Sequence, residues 1–237
     1  MPAGNWSKAI RDGYLEDAGG RRTEDLMASF FRHEMLYRDL RPATDRLVTI
    51  CGAGALGANL AETLARMGLG RLRVIDRDRV EAQNLSTQPW TQQDVGAAKV
   101  RVLANSLYRA VGARLDARQV ELAPANVMEL LAGSAVVVDA FDNVPSRQAV
   151  AAAAVQLGVP CLHVALGVTG DYGCALWDGA YLLPATPLGP EICDYPLARP
   201  LALLVVAAAA EVLAGFLLDG STRRFEVTLR DLRLHSW

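Results

Sequence analysis

A short apolar run, Leu47 to Cys51, passes directly into Gly52-Ala53-Gly54-Ala55-Leu56-Gly57, and few sequence features restrict a fold so strongly. Leu56, Leu60, Leu64 and Met67 then recur near helical spacing until Gly68 and Gly70 stop the helix. A second apolar run, Leu72 to Ile75, ends at Asp76. Strand, glycine turn, helix and strand together make a βαβ unit. Without side chains, Gly52, Gly54 and Gly57 allow a tight turn, a close approach by a nucleotide and close helix packing, while the helix N-terminus favours phosphate. Asp76 stands where a carboxylate can accept hydrogen bonds from ribose hydroxyls. The unit predicts adenine-nucleotide binding but leaves open a dinucleotide or the adenosine half of ATP.

The rest of the chain extends the same architecture. Ala98 to Val111 reads as a helix, Pro124 to Leu131 as a short one, and Ala135 to Val138 as a buried parallel strand, because its apolar run lacks the alternation of a half-wet strand. Ser146 to Leu157 is an alanine-rich helix, and Pro160 to Leu166 and Gly173 to Trp177 read as strands. A Pro- and Gly-rich connection, Pro184 to Pro200, is long for a compact domain and is a candidate functional loop. A helix from Leu201 to Leu218 precedes one or two strands within Arg223 to His235. The expected fold class is α/β: a Rossmann-like, mostly parallel sheet flanked by helices, with a short C-terminal strand extension. Residues 1–41, with a one-sided helix over Glu24 to Tyr37, form an N-terminal helical arm, and residues 42–237 form the nucleotide-binding domain.

Composition narrows the function classes. With 51% hydrophobic and 21% charged residues over 237 positions, the chain can bury its own core without staples. A net charge of -2 provides no broad field for nucleic acid, and no such partner is expected. Cys51, Cys161, Cys174 and Cys193 include no Cys-x-x-Cys pair, which argues against a disulfide framework and a four-thiolate zinc site. Leu201 to Leu218 is interrupted by Glu211 and reads as a buried helix, with no membrane partner expected. No basic segment followed by an apolar one opens the sequence, and a cytoplasmic setting is expected.

Five further features belong at the carboxyl edge of the parallel strands, where ligands bind in this architecture. They are Asp76-x-Asp78, Asn84-Leu85, Gln88, Gly96-Ala97-Ala98-Lys99, and Asp139-x-x-Asp142-Asn143 with Arg147. Lys99 can neutralise phosphate oxygens, Asn84 can donate to them, and Asp142 can hold magnesium or position its waters. That chemistry suits a triphosphate better than a nicotinamide. A hydride-transfer enzyme using NAD explains the glycines and Asp76 but leaves Asn84, Lys99 and Asp142 without a common role.

This ordered set resembles the ThiF and MoeB branch of the ubiquitin-activating enzyme superfamily. The resemblance is strong from Leu47 to Arg147 and weaker through Cys193 and the terminal helix. It implies an ATP-dependent adenylyltransferase in which Asp76 contacts ribose, Asn84 and Lys99 contact phosphates, and Asp142 supports Mg2+, with Asp78, Gln88 and Asn143 completing the nucleotide site. It also implies a carboxylate substrate, the C-terminal glycine of a ubiquitin-like or sulfur-carrier protein, and a homodimer paired through the apolar terminal helix. In that family a helix before the glycine turn often supplies an arginine to the ATP site, and Arg32 is the nearest candidate, with Arg38 second.

Two departures from the family pattern matter. Thr87 stands where the family usually carries an arginine before the glutamine, which removes up to two directed donors; Arg77 or Arg79 could compensate from another angle, and a non-catalytic nucleotide-binding scaffold is the alternative reading. The paired cysteine motifs that commonly hold structural zinc in the family are absent. Cys193, in Gly189 to Pro196, reads either as a thiol that could receive an activated acyl group as a thioester or as a structural or incidental residue, and Glu191 and Asp194 disfavour its thiolate. Cys51, Cys161 and Cys174 read as small core residues, His163 as a packed or locally hydrogen-bonded residue, His33, beside Arg32, as a helical surface residue or one that approaches phosphate, and Arg147 as a holder of the Asp139 to Asn143 loop or a substrate contact.

Overall fold

In a computed structural model, residues 43, 45–181 and 197–236 are described, all of them within the compact unit Asp39–Trp237. The elements run in the order β1 (Val48–Cys51), α1 (Gly57–Arg66), β2 (Leu72–Ile75), α2 (Lys99–Val111), β3 (Asp116–Arg118), α3 (Val127–Leu131), β4 (Val136–Asp139) and α4 (Val144–Leu157). They continue through β5 (Cys161–Leu166), β6 (Tyr172–Trp177), α5 (Arg199–Asp219), β7 (Phe225–Thr228) and β8 (Leu234–Ser236). Two short 3-10 turns, Ala82–Ser86 and Gln92–Asp94, lie between β2 and α2.

All eight strands join one sheet in the order β3-β2-β1-β4-β5-β6-β7-β8. The first five are parallel and β6 to β8 run antiparallel, so the mostly parallel sheet with a C-terminal strand extension is the observed architecture. The chain leaves β1 to pair with β2 on one side and returns to β4 on the other. That reversal makes the carboxyl ends of β1 and β4 the crevice of an open α/β sheet.

Alternation along β1 divides the core. Ile50 faces α1, its Cγ2 lying 3.3 Å from where a Cβ on Gly57 would stand. Cys51 faces the opposite side and joins Val137, Leu131, Val150 and Cys161 beneath α3 and α4. Cys51, Cys161 and Cys174 are all buried thiols, as expected of small core residues. Burial pushes the Cys51 and Cys174 thiols up, and that of Cys161 up to about 12.

Several boundaries differ from the sequence expectation for local reasons. Helix α4 starts at Val144 because the Asn143 side chain caps it, accepting from the Ser146 N–H at 2.9 Å. Helix α3 starts only at Val127, and Asn126 instead accepts from the Ala123 N–H and donates to the Glu121 carbonyl. Strand β3 was not expected, since Asp-Ala-Arg carries no apolar pattern; it forms by parallel pairing with β2, with Arg73 donating to Asp116 at 2.8 Å. Helix α5 runs from Arg199, with Pro200 in its first turn where the missing N–H costs nothing. It is long and apolar enough to cross a bilayer, yet 67% of its apolar window is buried, against α1, β6 and β7. The arm of residues 1–41 and most of the Pro184 to Pro200 connection lie outside the described residues.

Candidate active site

The three glycines of the turn do different things. Gly52 has φ +100°, and a Cβ there would press on the Ala140 carbonyl oxygen at 3.1 Å and the Phe141 ring at 3.3 Å. Gly57 brings α1 so close to the end of β1 that a Cβ would stand 1.9 Å from the Gly52 oxygen. Among the described residues nothing lies within 4 Å of a Cβ added at Gly54. The Gly54 and Ala55 N–H groups have no acceptor among the described residues, and they lie just before α1, whose N-terminal dipole favours anions.

Asp76 ties the second strand to this turn. Its Oδ2 accepts from the Ala53 N–H at 2.6 Å and its Oδ1 from the Asp78 N–H at 2.7 Å. Burial raises its carboxyl above the usual range, while the Ala53 N–H, the Lys99 ammonium and the Asp78 N–H oppose that rise. Each oxygen keeps a second lone pair, the acceptor a ribose hydroxyl needs. Lys99 opens α2, its side chain buried and its Nζ 3.2 Å from Asp78 Oδ2. Asp76, Asp78 and Lys99, spread over 24 positions, are thus brought together at the turn.

The segment between β2 and α2 is pinned by its own polar groups. Asn84 Oδ1 accepts from the Glu81 N–H at 2.9 Å, closing a capping box on the first 3-10 turn. Gln88 is buried, and its Oε1 accepts from the Trp90 indole at 2.7 Å. Asn59 on α1 donates to the carbonyls of Ala55 and Thr87, so it fixes the 3-10 turn against the glycine turn. Sequence reasoning passed over Asn59; a buried amide one turn into the helix was the signal available. Of the two arginines considered as substitutes at Thr87, Arg77 pairs with Glu121 at 2.6 Å and Arg79 donates to the Gly96 carbonyl at 2.7 Å.

The Asp139–Asn143 loop borders the turn from the other side. Ala140 donates its N–H to the Cys51 carbonyl at 2.9 Å, and Phe141 packs beside Gly52. Asp142 is exposed, with no partner for its carboxylate among the described residues. Asp139 is fully buried; its Oδ1 accepts from the Phe141 N–H at 3.1 Å and its Oδ2 from Arg147 at 2.9 Å. Arg147 also donates to the Val164 carbonyl, so it holds the loop, one of the two roles expected of it.

Beneath the loop lies a constellation whose partners were not foreseen. His163 sits between Asp139 and Asp178, 2.9 Å from Oδ2 of the first and 3.0 Å from Oδ1 of the second. Burial disfavours its charge, but hydrogen bonds to the two carboxylates and Cys161 outweigh that and push its pKa up to about 11. Cys161, His163 and Asp178 place ligand atoms within 4.8 Å of one another, a grouping a metal could use. Both imidazole nitrogens already bond carboxylates, however, and the Arg147 cation shares Asp139, so the group is electrically complete without an ion.

Cavities among the described residues include one of about 320 Å³ lined by Ala117 to Val120 with Asn126, Glu129 and Leu130, and one of about 450 Å³ lined by Trp177 to Ala180 with Thr222 and Arg224. Neither of these two is lined by residues of the glycine turn. Arg32, Arg38, His33 and Cys193 lie outside the described residues.

Residues 26–178 match the sequence profile of the ThiF family. The chain is 32% identical over 194 residues to the sulfur carrier protein ThiS adenylyltransferase of Bacillus subtilis, covering 75% of this chain and 57% of that protein. It is 40% identical over 122 residues to a sulfur carrier protein adenylyltransferase of Thermus thermophilus, covering 50% of this chain and 45% of that one. The chain thus spans about half the length of the curated relatives it matches. Among solved structures it is similar in fold to E. coli MccB with ATP, with a TM-score of 0.70, 18% identity and coverage of 100% of this chain and 79% of that one. E. coli tRNA N6-threonylcarbamoyladenosine dehydratase, TcdA, in complex with ATP gives a TM-score of 0.67 and 20% identity, covering 80% of this chain and 93% of that one.

Proposed function

The chain belongs to the ThiF family, and on that premise we propose that it binds MgATP at the glycine turn and adenylates a carboxylate. The carboxylate we propose is the C-terminal glycine of a ubiquitin-like or sulfur-carrier protein, and two curated relatives are named as adenylyltransferases of a sulfur carrier protein. The observation that carries this reading is the buried Lys99 ammonium, paired with Asp78 beside an Asp76 that is itself bonded to the turn. A buried cation at that edge is placed to neutralise phosphate oxygens.

In the proposed reaction a substrate carboxylate oxygen bonds to the α-phosphorus, and the bond to the bridging oxygen breaks to release pyrophosphate. No general base is needed, since the carboxylate is already ionised at neutral pH. Lys99 moves its charge from Asp78 onto the phosphate oxygens, and the N–H groups of Gly54 and Ala55 donate to them. Asp76 accepts from ribose hydroxyls while holding the turn in shape. Asp142 offers a hard carboxylate oxygen, exposed and unpaired among the described residues, which is the donor type magnesium takes alongside phosphate oxygens. Magnesium held there would supply positive charge against that of the pyrophosphate. Arg32, or otherwise Arg38, is proposed to add a further guanidinium, and Cys193 to receive the acyl group. Association through α5, on which Leu203 and Leu204 stay partly exposed, belongs to the same proposal.

ATP–pyrophosphate exchange across a panel of carrier proteins tests the reading. Exchange is expected only with a carrier ending in glycine, and Lys99→Ala or Asp142→Ala should lower it on the order of a hundredfold. Exchange undiminished in Asp142→Ala rejects the metal assignment. ATP binding with no exchange for any carrier leaves the scaffold alternative standing. Mass spectrometry of the product separates an adenylate from a Cys193 thioester.

A further inference from the structure

Adenylation makes no direct use of one polar cluster, in which buried Asp139, Arg147 and His163 meet the more exposed Asp178 and Tyr181. Asp139 ends β4, Arg147 sits in the first turns of α4, His163 is in β5, and Asp178 and Tyr181 follow β6. The register sets Asp139 beside His163 on one side and beside Cys51 on the other, one residue before Gly52. His163 is 2% exposed and Asp139 0%, whereas the Asp178 side chain is 34% exposed.

The imidazole is held in its plane and along its normal. In its plane, Nδ1 bonds Asp139 and Nε2 bonds Asp178. Along its normal, the Tyr181 ring stacks on it at 4.5 Å between centroids and 10° between planes. Arg147 shares the same Asp139 oxygen and extends its guanidinium to 5.5 Å from the Tyr181 centroid. The other Asp139 oxygen accepts from the Phe141 N–H, and the next residue is Asp142. Contacts therefore run without a gap from Tyr181 through His163 and Asp139 to the backbone of the loop carrying Asp142. A histidine needing only a buried place could be satisfied by one carbonyl; this one bridges carboxylates from two different elements.

We propose that His163 is a positioning residue for Asp142: by holding Asp139 it sets the backbone of the Asp139–Asn143 loop, and by stacking on Tyr181 it ties that loop to the chain leaving β6. Its functional consequence rests on the adenylation reading, while its structural half stands alone. The two carboxamide replacements separate positioning from packing. Asn places its Nδ2 near the position of imidazole Nδ1 and keeps the bond to Asp139; Gln reaches toward Nε2 and Asp178 and gives that bond up.

The experiment compares the Phe141 amide exchange rate, and the Mg2+ dependence of ATP–pyrophosphate exchange, in wild type, His163→Asn and His163→Gln. Phe141 exchange is expected to rise on the order of tenfold in His163→Gln and to stay near wild type in His163→Asn. The Mg2+ concentration for half-maximal activity should follow the same order. Equal Phe141 rates in the two variants, or restoration by Gln instead of Asn, overturn the proposal. In the unaltered protein, which needs no variant to fold, both His163 ring N–H protons should be slowly exchanging at neutral pH; a ring with one such proton overturns the bridge. If wild type performs no pyrophosphate exchange, the adenylation reading fails while the Phe141 rates still decide the positioning.

Discussion

Adding a single methyl at each glycine of the turn should separate folding from ligand binding. Gly57→Ala drives a Cβ to 1.9 Å from the Gly52 carbonyl oxygen and 3.0 Å from its carbon, both of them backbone atoms. Helix α1 or the end of β1 must move, and Gly52, at φ +100° and backed by Ala140 and Phe141, has little room to yield. We expect the upper end of overpacking costs, about 3 kcal/mol, which for a chain of this size lowers Tm by ~6–12 °C. Gly54→Ala meets nothing within 4 Å among the described residues, and Gly54 is not among the positive-φ glycines. Its effect on stability should stay within about 0.5 kcal/mol, but the methyl stands at the edge where phosphates are proposed to lie. Melting is measured by scanning fluorimetry with and without MgATP. Gly57→Ala should melt low in both conditions, whereas Gly54→Ala should melt like wild type alone and lose most of the MgATP-induced rise. A Gly57→Ala protein with wild-type Tm would refute the packing argument, and a Gly54→Ala protein with an intact rise would move the nucleotide away from this turn.

Asp76→Asn keeps the shape of the side chain but turns an NH2 toward one of two N–H donors, on Ala53 or Asp78. The loss is expected at about 1–3 kcal/mol, measured by urea unfolding, together with weaker nucleotide binding; unchanged stability would show that the carboxylate does not hold the turn. The His163 bridge carries a pH signature. With the folded pKa up at about 11 against an ordinary histidine value of 6.5, its stabilisation is complete below pH 6.5 and is lost as pH climbs toward 11. The Cys161 thiol, pushed up to about 12, stays uncharged through that window. The stability gap between wild type and His163→Gln, from urea unfolding at successive pH values, should therefore narrow steadily from pH 6.5 upward, and a gap that widens with pH would contradict the protonated bridge.

What the sequence could show follows from how far each interaction reaches along the chain. The glycine turn, α1 and β2 are adjacent segments whose periodicity and punctuation are local, and they stand where expected. The gathering of Asp76, Asp78, Lys99 and the Asp139–Asn143 loop was also legible, since a parallel sheet delivers all its βα connections to one edge. Strand β3 was not, because three residues reading Asp-Ala-Arg owe their extended form to pairing with β2. Nor were the polar groups that occupy the site residues here: Asn84 closing a capping box, Lys99 held on Asp78. Those bonds depend on rotamers and turn geometry that residue type alone leaves free.

His163 marks the boundary between the two cases. A histidine between Leu162 and Val164 in an apolar strand signals a buried polar group that must find partners, and a packed or hydrogen-bonded role was expected on that ground. Naming the partners requires two registers at once, parallel for β4 with β5 and antiparallel for β5 with β6. A slip of one residue in β5 would turn His163 to the α1 face and leave Asp139 to Arg147 alone. The Cys51, Val137 and Cys161 cluster penalises that slip by putting the same face of three strands into one apolar core. The bridge to Asp178 is thus a consequence of core packing two residues away: apolar burial sets the register, and the register delivers the histidine to its carboxylates.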